Sequence, residues 1–224
     1  MAADKDLEQQ YGRAMEEHGF LPDPANRRYG SMGLCWRHSS QQGGGFFWTY
    51  GQQDLYTIKI HDFFFHEDQL LEFHWPESLS VTWYESISGE EFSPCRRLVP
   101  GCVKSFIGGR EPYRALIHRQ IPIVSIGVEI TPAYYRDYLR RQFPQEYQSL
   151  LESFQTLDQT EHFPEMVQLL KQVRDYRGEG LPARLFYDGK VAEAVALVAE
   201  RHLKRKNRRS VSAEDAVRLA GVAA

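Results

Sequence analysis

Residues 46–60 read "FFWTYGQQDLYTIKI", and this stretch decides the fold. Apolar residues alternate with other residues on both sides of the turn signal "GQQD": Phe46, Trp48 and Tyr50 before it, and Tyr56, Ile58 and Ile60 after it. Successive side chains of a strand point to opposite faces of a sheet, so a period of two is typical of a half-buried strand. The stretch therefore predicts two half-buried strands joined by a turn.

The same period recurs between Tyr29 and Thr131. Its other apolar positions are Leu71, Phe73 and Trp75; Leu79, Val81 and Trp83; and Val124, Ile126, Val128 and Ile130. Turn signals such as "HEDQ", "SISGEE" and "VPGC" separate these stretches. Short strands with turns at this spacing are typical of a sandwich or small barrel. We predict a single antiparallel β-barrel or two-sheet roll over residues 29–131.

Helical patterns flank the predicted strands. Residues 4–18 place Leu7, Tyr11, Ala14, Met15 and His18 at helical spacing, which predicts a short helix within an N-terminal arm, residues 1–28. Beyond Pro132, three short helical patterns cover 132–143, 145–157 and 164–178, and a longer, alanine-rich one covers 181–206. The predicted fold class is α+β, an antiparallel barrel followed by helices.

Composition narrows the class of protein. The chain has 224 residues, 42% of them hydrophobic, and a net charge of −3, so we expect a globular protein without a chain-wide field for nucleic acid or membrane. The three cysteines, Cys35, Cys95 and Cys102, have no metal-type spacing, and no leader or membrane-span pattern is present. We expect reduced thiols and a cytoplasmic protein without membrane contact.

The C-terminal segments carry a family resemblance. They are the aliphatic helix "YDGKVAEAVALVAE" at 187–200, with Gly189, Lys190 and Glu193, the basic run "RHLKRKNRR" at 201–209, and "SVSAEDAVRLAGVAA" at 210–224. Together with the strand-rich half, they resemble the effector-sensing part of AraC/XylS-type bacterial transcription regulators, more narrowly the siderophore-responsive subgroup.

The resemblance implies a division of the chain into parts with separate roles. Residues 29–131 would be a cupin-like effector-binding barrel, 132–205 a helical dimerisation region, and 206–224 a linker and the start of a truncated DNA-binding domain. Ser212 and Asp215 have the spacing of a helix N-terminus, so a helix is expected to begin there. Two helix-turn-helix units would follow, so DNA contact is expected only through a downstream domain that these residues lack, with the basic run as a solvated connector.

The alternating aromatic residues are candidates for an effector site. The candidate ligand-binding residues are Trp48, Tyr50, Tyr56, Phe73, Trp75, Trp83 and, as a polar anchor at a strand end, Glu85. Barrel mouths often bind small molecules, and flat aromatic walls favour an aromatic ligand. Simple filling of the barrel core also explains each single ring. Arg110, in "IGGREP", is either a partner for a ligand carboxylate or part of a surface hairpin.

The last helical pattern has an apolar stripe. Val191, Ala194, Val195 and Val198 share one face, and a small barrel would cover only part of it, so we predict a homodimer through this face. The alternative is that the stripe packs onto the chain's own barrel.

Two other functions are alternatives to the effector-sensing role. One is a metal-dependent enzyme of the cupin type, and the other is a free-standing small-molecule-binding protein. His61, His66, His74 and His118 lie in strand-like stretches, but "HDFFFH" separates its two histidines by four residues and sends them to opposite faces of a regular strand. We therefore predict a non-enzyme without a catalytic residue, metal or cofactor.

Overall fold

The structure is a computed structural model. It describes the backbone of residues 11–12, 15–38, 41–52, 54–93, 95–109, 111–157 and 162–222, and the side chains of these ranges as far as Asn207. Backbone is helical at 11–12 and 15–17, within the predicted N-terminal helix, whereas Leu7 and Ala14 of that prediction lie outside the described residues.

Eleven strands of the described part form two antiparallel sheets. In chain order they are β1 (Phe20–Pro22), β2 (Leu34–His38), β3 (Gly43–Gln52), β4 (Tyr56–Phe65), β5 (Gln69–Phe73), β6 (Leu79–Ser86), β7 (Gly89–Phe92), β8 (Cys95–Leu98), β9 (Val103–Ile107), β10 (Tyr113–Ile117) and β11 (Ile123–Ile130). The larger sheet has the order β1-β2-β3-β4-β11-β6-β9, and the smaller has the order β5-β10-β7-β8. The alternating stretches of the sequence thus form strands.

The sheets do not close into the predicted barrel. β1 and β9 are the edges of the larger sheet, and β5 and β8 are the edges of the smaller one. The chain passes between the sheets through turns and irregular segments, at 66–68, 74–78 and 87–88, rather than along strands that bend from one sheet into the other. The α+β class and the antiparallel sheets are confirmed, and the arrangement is an open two-sheet roll.

Helices follow the strands, as the sequence predicted. A π-helical segment, Ala133–Leu139, runs into the turn Arg140–Gln142, and α1 (Tyr147–Thr156), α2 (Pro164–Asp175) and α3 (Gly180–Val222) come next. α1 contacts β6 and β9, α2 contacts β6 and β11, and α3 packs against α1 and α2. α3 runs through the predicted boundary at 205/206 and through Ser212, so no new helix begins there.

Both faces of the larger sheet are buried, and this arrangement positions the site. One face packs against the helices through a core that includes Trp48, Ile58, Val81, Met166 and Val191. The other face packs against the smaller sheet through a second core, which includes Trp36, Phe63, Leu71 and Ile117. The larger sheet therefore separates two apolar layers.

Candidate functional site

A cavity of about 150 Å³ lies between the two sheets. Many aromatic side chains line it from both sheets and the segments beside them: Phe47, Phe63, Phe65, Phe73, Trp75, Tyr84, Phe106 and Tyr113. Four ionisable groups of the larger sheet also line it, namely Lys59, His61, Lys104 and Glu129. Met15 and His18, from the N-terminal segment, complete the lining at one side. The cavity is the candidate site.

A single row of paired residues crosses the larger sheet beneath the cavity. Lys59 on β4 pairs with Gly127 on β11, Gly127 pairs with Thr82 on β6, and Thr82 pairs with Lys104 on β9. Neighbouring strands lie about 4.8 Å apart, so the backbones at the two ends of the row are about 14 Å apart. The small side chains at the middle of the row leave room between the two lysines.

Lys59 is held at one end of the row by a buried carboxylate. Its Nζ donates to Oε2 of Glu129 over 2.7 Å and lies 4.4 Å from the centre of the Trp75 ring. The hydroxyl of Tyr11 donates to the other oxygen of Glu129 over 3.2 Å. Burial raises the pKa of Tyr11 to about 12, so this hydroxyl stays protonated. The positive charge of Lys59 is therefore matched by one carboxylate.

His61 presents a neutral imidazole to the cavity. Its Nδ1 lies 2.7 Å from Oγ of Ser125, and its ring stacks on Phe47 with centroids 4.8 Å apart. Burial, with a smaller contribution from the charge of Lys59, lowers the pKa of His61 to about 3. The ring is thus uncharged at neutral pH and can form one polar contact without bringing a charge.

Lys104, at the other end of the row, contacts the carboxylate of Glu91, which also contacts Arg96. It contacts Oε1 of Glu91, while Arg96 donates through Nε to Oε2 of the same group over 2.6 Å. Burial lowers the pKa of Lys104 to about 7. The Lys104 ammonium also lies 5.3 Å from the centre of the Tyr113 ring. Glu91 therefore contacts two basic side chains, Lys104 and Arg96.

The predicted ligand-binding residues do not come together. Phe73 and Trp75 line the cavity and stack on one another with centroids 5.3 Å apart. Trp48, Tyr50, Tyr56 and Trp83 lie on the opposite face of the larger sheet, in the core beneath the helices. Glu85 is exposed and accepts a hydrogen bond from Arg174 of α2 over 2.5 Å. Arg110 lies outside the described residues.

The aromatic residues of the helix-facing side join the sheet to α3. Tyr187 of α3 packs against Tyr50 with centroids 4.6 Å apart and against Trp48 with centroids 6.4 Å apart. Tyr56 donates a hydrogen bond to Asp188 of α3. These rings fix the helix on the sheet.

The four residues predicted to form the dimer interface are buried within the chain itself. Val191, Ala194 and Val198 are at most 1% exposed and Val195 is 7% exposed, all in the core shared with α2 and the larger sheet. The exposed apolar residues of α3 are on another face and include Leu181, Leu185 and Leu203.

The histidines of the metal hypothesis are dispersed. His61 lines the cavity, His74 is exposed, and His118 lies 2.8 Å from Oγ of Ser88 through its Nδ1. Within the described ranges, no three side chains of His, Cys, Asp or Glu are grouped so that they could hold a metal ion. The three cysteines are free thiols. No helix among the described residues is long and apolar enough to cross a membrane.

Comparisons with known proteins give a distant structural likeness. No family model and no curated protein matches the sequence. The chain is similar to an RmlC-like cupin protein from Desulfovibrio desulfuricans, with 15% identity and a TM-score of 0.30 over 42% of this chain and 86% of that one. It is also similar to KdgF from Halomonas sp., with 11% identity and a TM-score of 0.28 over 38% and 77% of the two chains. Tomato vicilin has 14% identity and a TM-score of 0.31 over 55% and 41%.

Three ionisable residues of the cavity, Lys59, Lys104 and Glu129, were not among the candidates from the sequence, whereas His61 was considered there as a metal ligand. Lys59 and Glu129 each stand between apolar residues within a strand, in "IKI" and "VEI", and Lys104 follows Val103 in "VKSF". A polar residue in such a pattern is normally predicted to lie on the solvent-exposed face of a half-buried strand. A charge at the centre of a long strand that has helices on one side is the signal that would have indicated a buried polar face.

Proposed function

We propose that this chain is a small-molecule sensor module and that the cavity between the sheets binds one small aromatic ring. The observation that carries the proposal is the aromatic wall of the cavity together with its few, positioned polar groups. Ligand sites are mostly apolar concavities with a small number of polar anchors. Phe73 and Trp75, from the predicted ligand-binding set, form part of this wall.

The size of the cavity limits the ligand. A cavity of about 150 Å³ accommodates a molecule of roughly the size of benzene. The rings of Phe47, Phe106 and Tyr113 would surround such a ligand by stacking and edge contacts. The ligand class that fits is therefore a single aromatic ring with a small polar substituent.

A conformational change on ligand binding would be transmitted to α3 through the larger sheet. Lys59 and His61 face the cavity from β4, and Tyr56 on the same strand is bound to Asp188 of α3. A ligand that moves β4 therefore changes the packing of α3, which is the kind of differential contact that a population shift requires. α3 continues into the basic run, where Lys204, Arg205 and Lys206 are exposed.

The resemblance to AraC/XylS-type regulators gives the finer form of the proposal. In that form the cavity is the effector site, α3 relays its state to DNA-binding domains beyond these residues, and two copies of the chain pair through α3. The module itself does not catalyse a reaction. If the cavity binds a ligand and α3 does not respond to it, the chain is instead a free-standing small-molecule-binding protein.

A binding measurement with a variant that fills the cavity tests the proposal. Isothermal titration with single-ring aromatic compounds should detect binding by the unaltered protein. Thr82→Leu should abolish it, because the larger side chain projects into the cavity from the middle of the row. The matched control is Val81→Leu on the neighbouring, helix-facing position, which leaves the cavity unchanged. Absence of binding to every such compound would contradict the proposal.

A further inference from the structure

Lys104 is a buried amine at the wall of the cavity. It lies on β9, lines the cavity and has a side chain that is only 4% exposed. Phe106, two positions along the same strand, and Tyr113 line the cavity with it. Because burial lowers its pKa to about 7, about half of the Lys104 side chains are free amines at neutral pH, against fewer than about one in a thousand for an ordinary lysine. A desolvated lysine amine is a nucleophile for carbonyl compounds.

The other lysine of the cavity differs in its protonation. Burial acts to lower the pKa of Lys59, but the charge of Glu129, which accepts a hydrogen bond from its Nζ over 2.7 Å, and the neighbouring Tyr11 together raise it above the usual value. Lys59 therefore stays an ammonium, which has no lone pair to attack a carbonyl carbon. Of these two lysines, Lys104 is the nucleophile.

A group that can accept and return a proton lies at the Lys104 nitrogen. Oε1 of Glu91 contacts Nζ of Lys104, and Glu91 is only 2% exposed. Arg96 donates through Nε to the other oxygen over 2.6 Å, which orients the carboxylate. A carboxylate in this position can take a proton from the ammonium and later give it to a hydroxyl on the carbon bonded to the nitrogen. Both transfers are needed to form an imine.

We infer that Lys104 binds its ligand through a reversible imine, and that the ligand is a single-ring aromatic aldehyde. This inference rests on the proposed function and adds the reactive group of the ligand and its point of attachment. Glu91 takes a proton from the Lys104 ammonium, and the freed lone pair attacks the carbonyl carbon while an N–H proton passes to the carbonyl oxygen. The proton on Glu91 then moves to the new hydroxyl, which leaves as water as the C=N bond forms.

The charges and atoms of this step balance without a further reactant. One ammonium and one aldehyde give one protonated imine and one water molecule. The protonated imine keeps the positive charge of Lys104 beside Glu91, so neither buried charge loses its partner. The ring of the ligand then lies over Thr82 and Gly127, the small residues at the middle of the row.

Reductive trapping tests the inference. The protein is incubated with benzaldehyde and sodium cyanoborohydride, which reduces a protonated imine to a stable amine, and the labelled lysines are located by proteolysis and mass spectrometry. Lys104 should acquire a benzyl group at least about tenfold faster than Lys59 or any exposed lysine, because a larger fraction of its side chains are free amines. Labelling of Lys104 at the rate of the exposed lysines would overturn the inference.

A pair of ligands measures the contribution of the covalent bond at equilibrium. Benzyl alcohol has nearly the shape of benzaldehyde but no carbonyl carbon for an amine to attack. Isothermal titration should give a dissociation constant at least about tenfold lower for benzaldehyde. Lys104→Arg keeps a cation beside Glu91 and should bring the ratio of the two constants close to one, as should the smaller Lys104→Met. Using the ratio removes any loss of packing that affects both ligands.

The matched control is Lys204→Arg on α3. Lys204 also forms an ion pair with a glutamate, Glu200, over 2.7 Å, but its side chain is 64% exposed. The ratio of the two dissociation constants should therefore be unchanged in this variant. A ratio that stays high in both Lys104 variants would overturn the inference.

Glu91→Gln tests the proton transfers. Loss of the carboxylate can raise the fraction of free amine at Lys104 by only about twofold, from about half to all, whereas loss of a general acid–base group slows a reaction by about a hundredfold or more. Trapping should therefore be at least about tenfold slower in this variant. An unchanged rate would overturn the role of Glu91 in the inference.

Failure of this inference is distinguishable from failure of the proposed function. Binding of benzyl alcohol without preferential trapping on Lys104 would overturn the inference and leave a site that binds aromatic compounds without a covalent bond. Binding of neither compound, nor of any other single-ring compound, would overturn the proposed function and the inference with it.

Discussion

The hydroxyl of Tyr56 on β4 donates a hydrogen bond to Oδ1 of Asp188 on α3 over 2.5 Å. Tyr56 points toward the helices, while Lys59 and His61 of the same strand point into the cavity. A strand is too stiff to move on one face only, because its backbone is shared by both sets of side chains. The contact therefore joins the proposed ligand site to the long helix through one element.

Tyr56→Phe should weaken this junction without disturbing the core. The ring stays buried and only the hydrogen bond is lost, so the free energy of unfolding should fall by about 1 kcal/mol. Urea unfolding measures the change. Tyr138→Phe, at a residue that is 51% exposed, is the matched control and should have no effect. Equal stability of the two variants would show that the Tyr56 contact does not hold α3 on the sheet.

Two tryptophans on opposite faces of the larger sheet should respond differently to substitution. Trp83 is 5% exposed beneath Lys171 and Arg174, so Trp83→Ala should cost about 3 kcal/mol of stability or more and leave ligand affinity unchanged. Trp75→Leu keeps an apolar side chain at the cavity and should weaken the binding of a single-ring aromatic compound. Urea unfolding and titration calorimetry on both variants check this, and a loss of affinity in the Trp83 variant alone would contradict the assignment of the two faces.

His61 should make stability depend on pH below neutrality. The folded state lowers its pKa to about 3, whereas an unfolded chain has a histidine pKa of about 6.5. The unfolded state therefore binds the proton first as the pH falls, and stability contributed by His61 is complete above pH 6.5 and lost as the pH falls toward 3. The slope for one proton is at most about 1.4 kcal/mol per pH unit.

Urea unfolding at a series of pH values measures that slope. His61→Gln removes the titrating group and keeps a polar side chain beside Ser125, so its stability should fall less steeply between pH 6.5 and 4. The carboxylates titrate in both proteins and cancel in the comparison. Parallel curves for the two proteins would show that His61 is not held neutral by the fold.

Much of the fold could be predicted from the sequence. The alternation of Trp48 and Tyr50, and of Tyr56 and Ile58, correctly marked strands, and the change of period after Pro132 correctly marked the helices. The order of strands before helices was enough for the α+β class. Closure of the sheets was predicted wrongly, since a period of two gives the two faces of a strand and does not say how sheet edges meet.

The cavity could not be predicted, because both faces of the larger sheet are buried. Alternation identifies the more apolar face, and the sequence analysis assigned that face to the lumen of a barrel. The helices cover it instead, through residues such as Met166 and Val191. The face with Lys59, Thr82 and Lys104 then lines the cavity, and its charges are tolerated because Glu129 and Glu91 lie beside them.

The outer face of α3 is the surface through which we predict that two copies of the chain pair. Leu185, Ala192, Ala196 and Leu203 are exposed and recur at intervals of seven, four and seven residues, so they share one face of the helix. Small side chains at its centre would allow two helices to approach closely. This face is opposite the buried residues Ala194 and Val198, whose side chains pack within the chain itself.

Substitutions at two adjacent positions on α3 distinguish an effect on dimerisation from an effect on folding. Ala196→Glu should give a folded monomer, because an exposed charge opposes a helix interface and leaves the chain's own core untouched. Val195→Glu should instead abolish cooperative unfolding, because it places an unpaired charge in the core. Sedimentation equilibrium and urea unfolding of both variants measure the two effects. A monomeric unaltered protein at tens of micromolar, roughly the concentration at which marginal dimers form, would contradict the prediction, and so would an Ala196→Glu variant that remains a dimer.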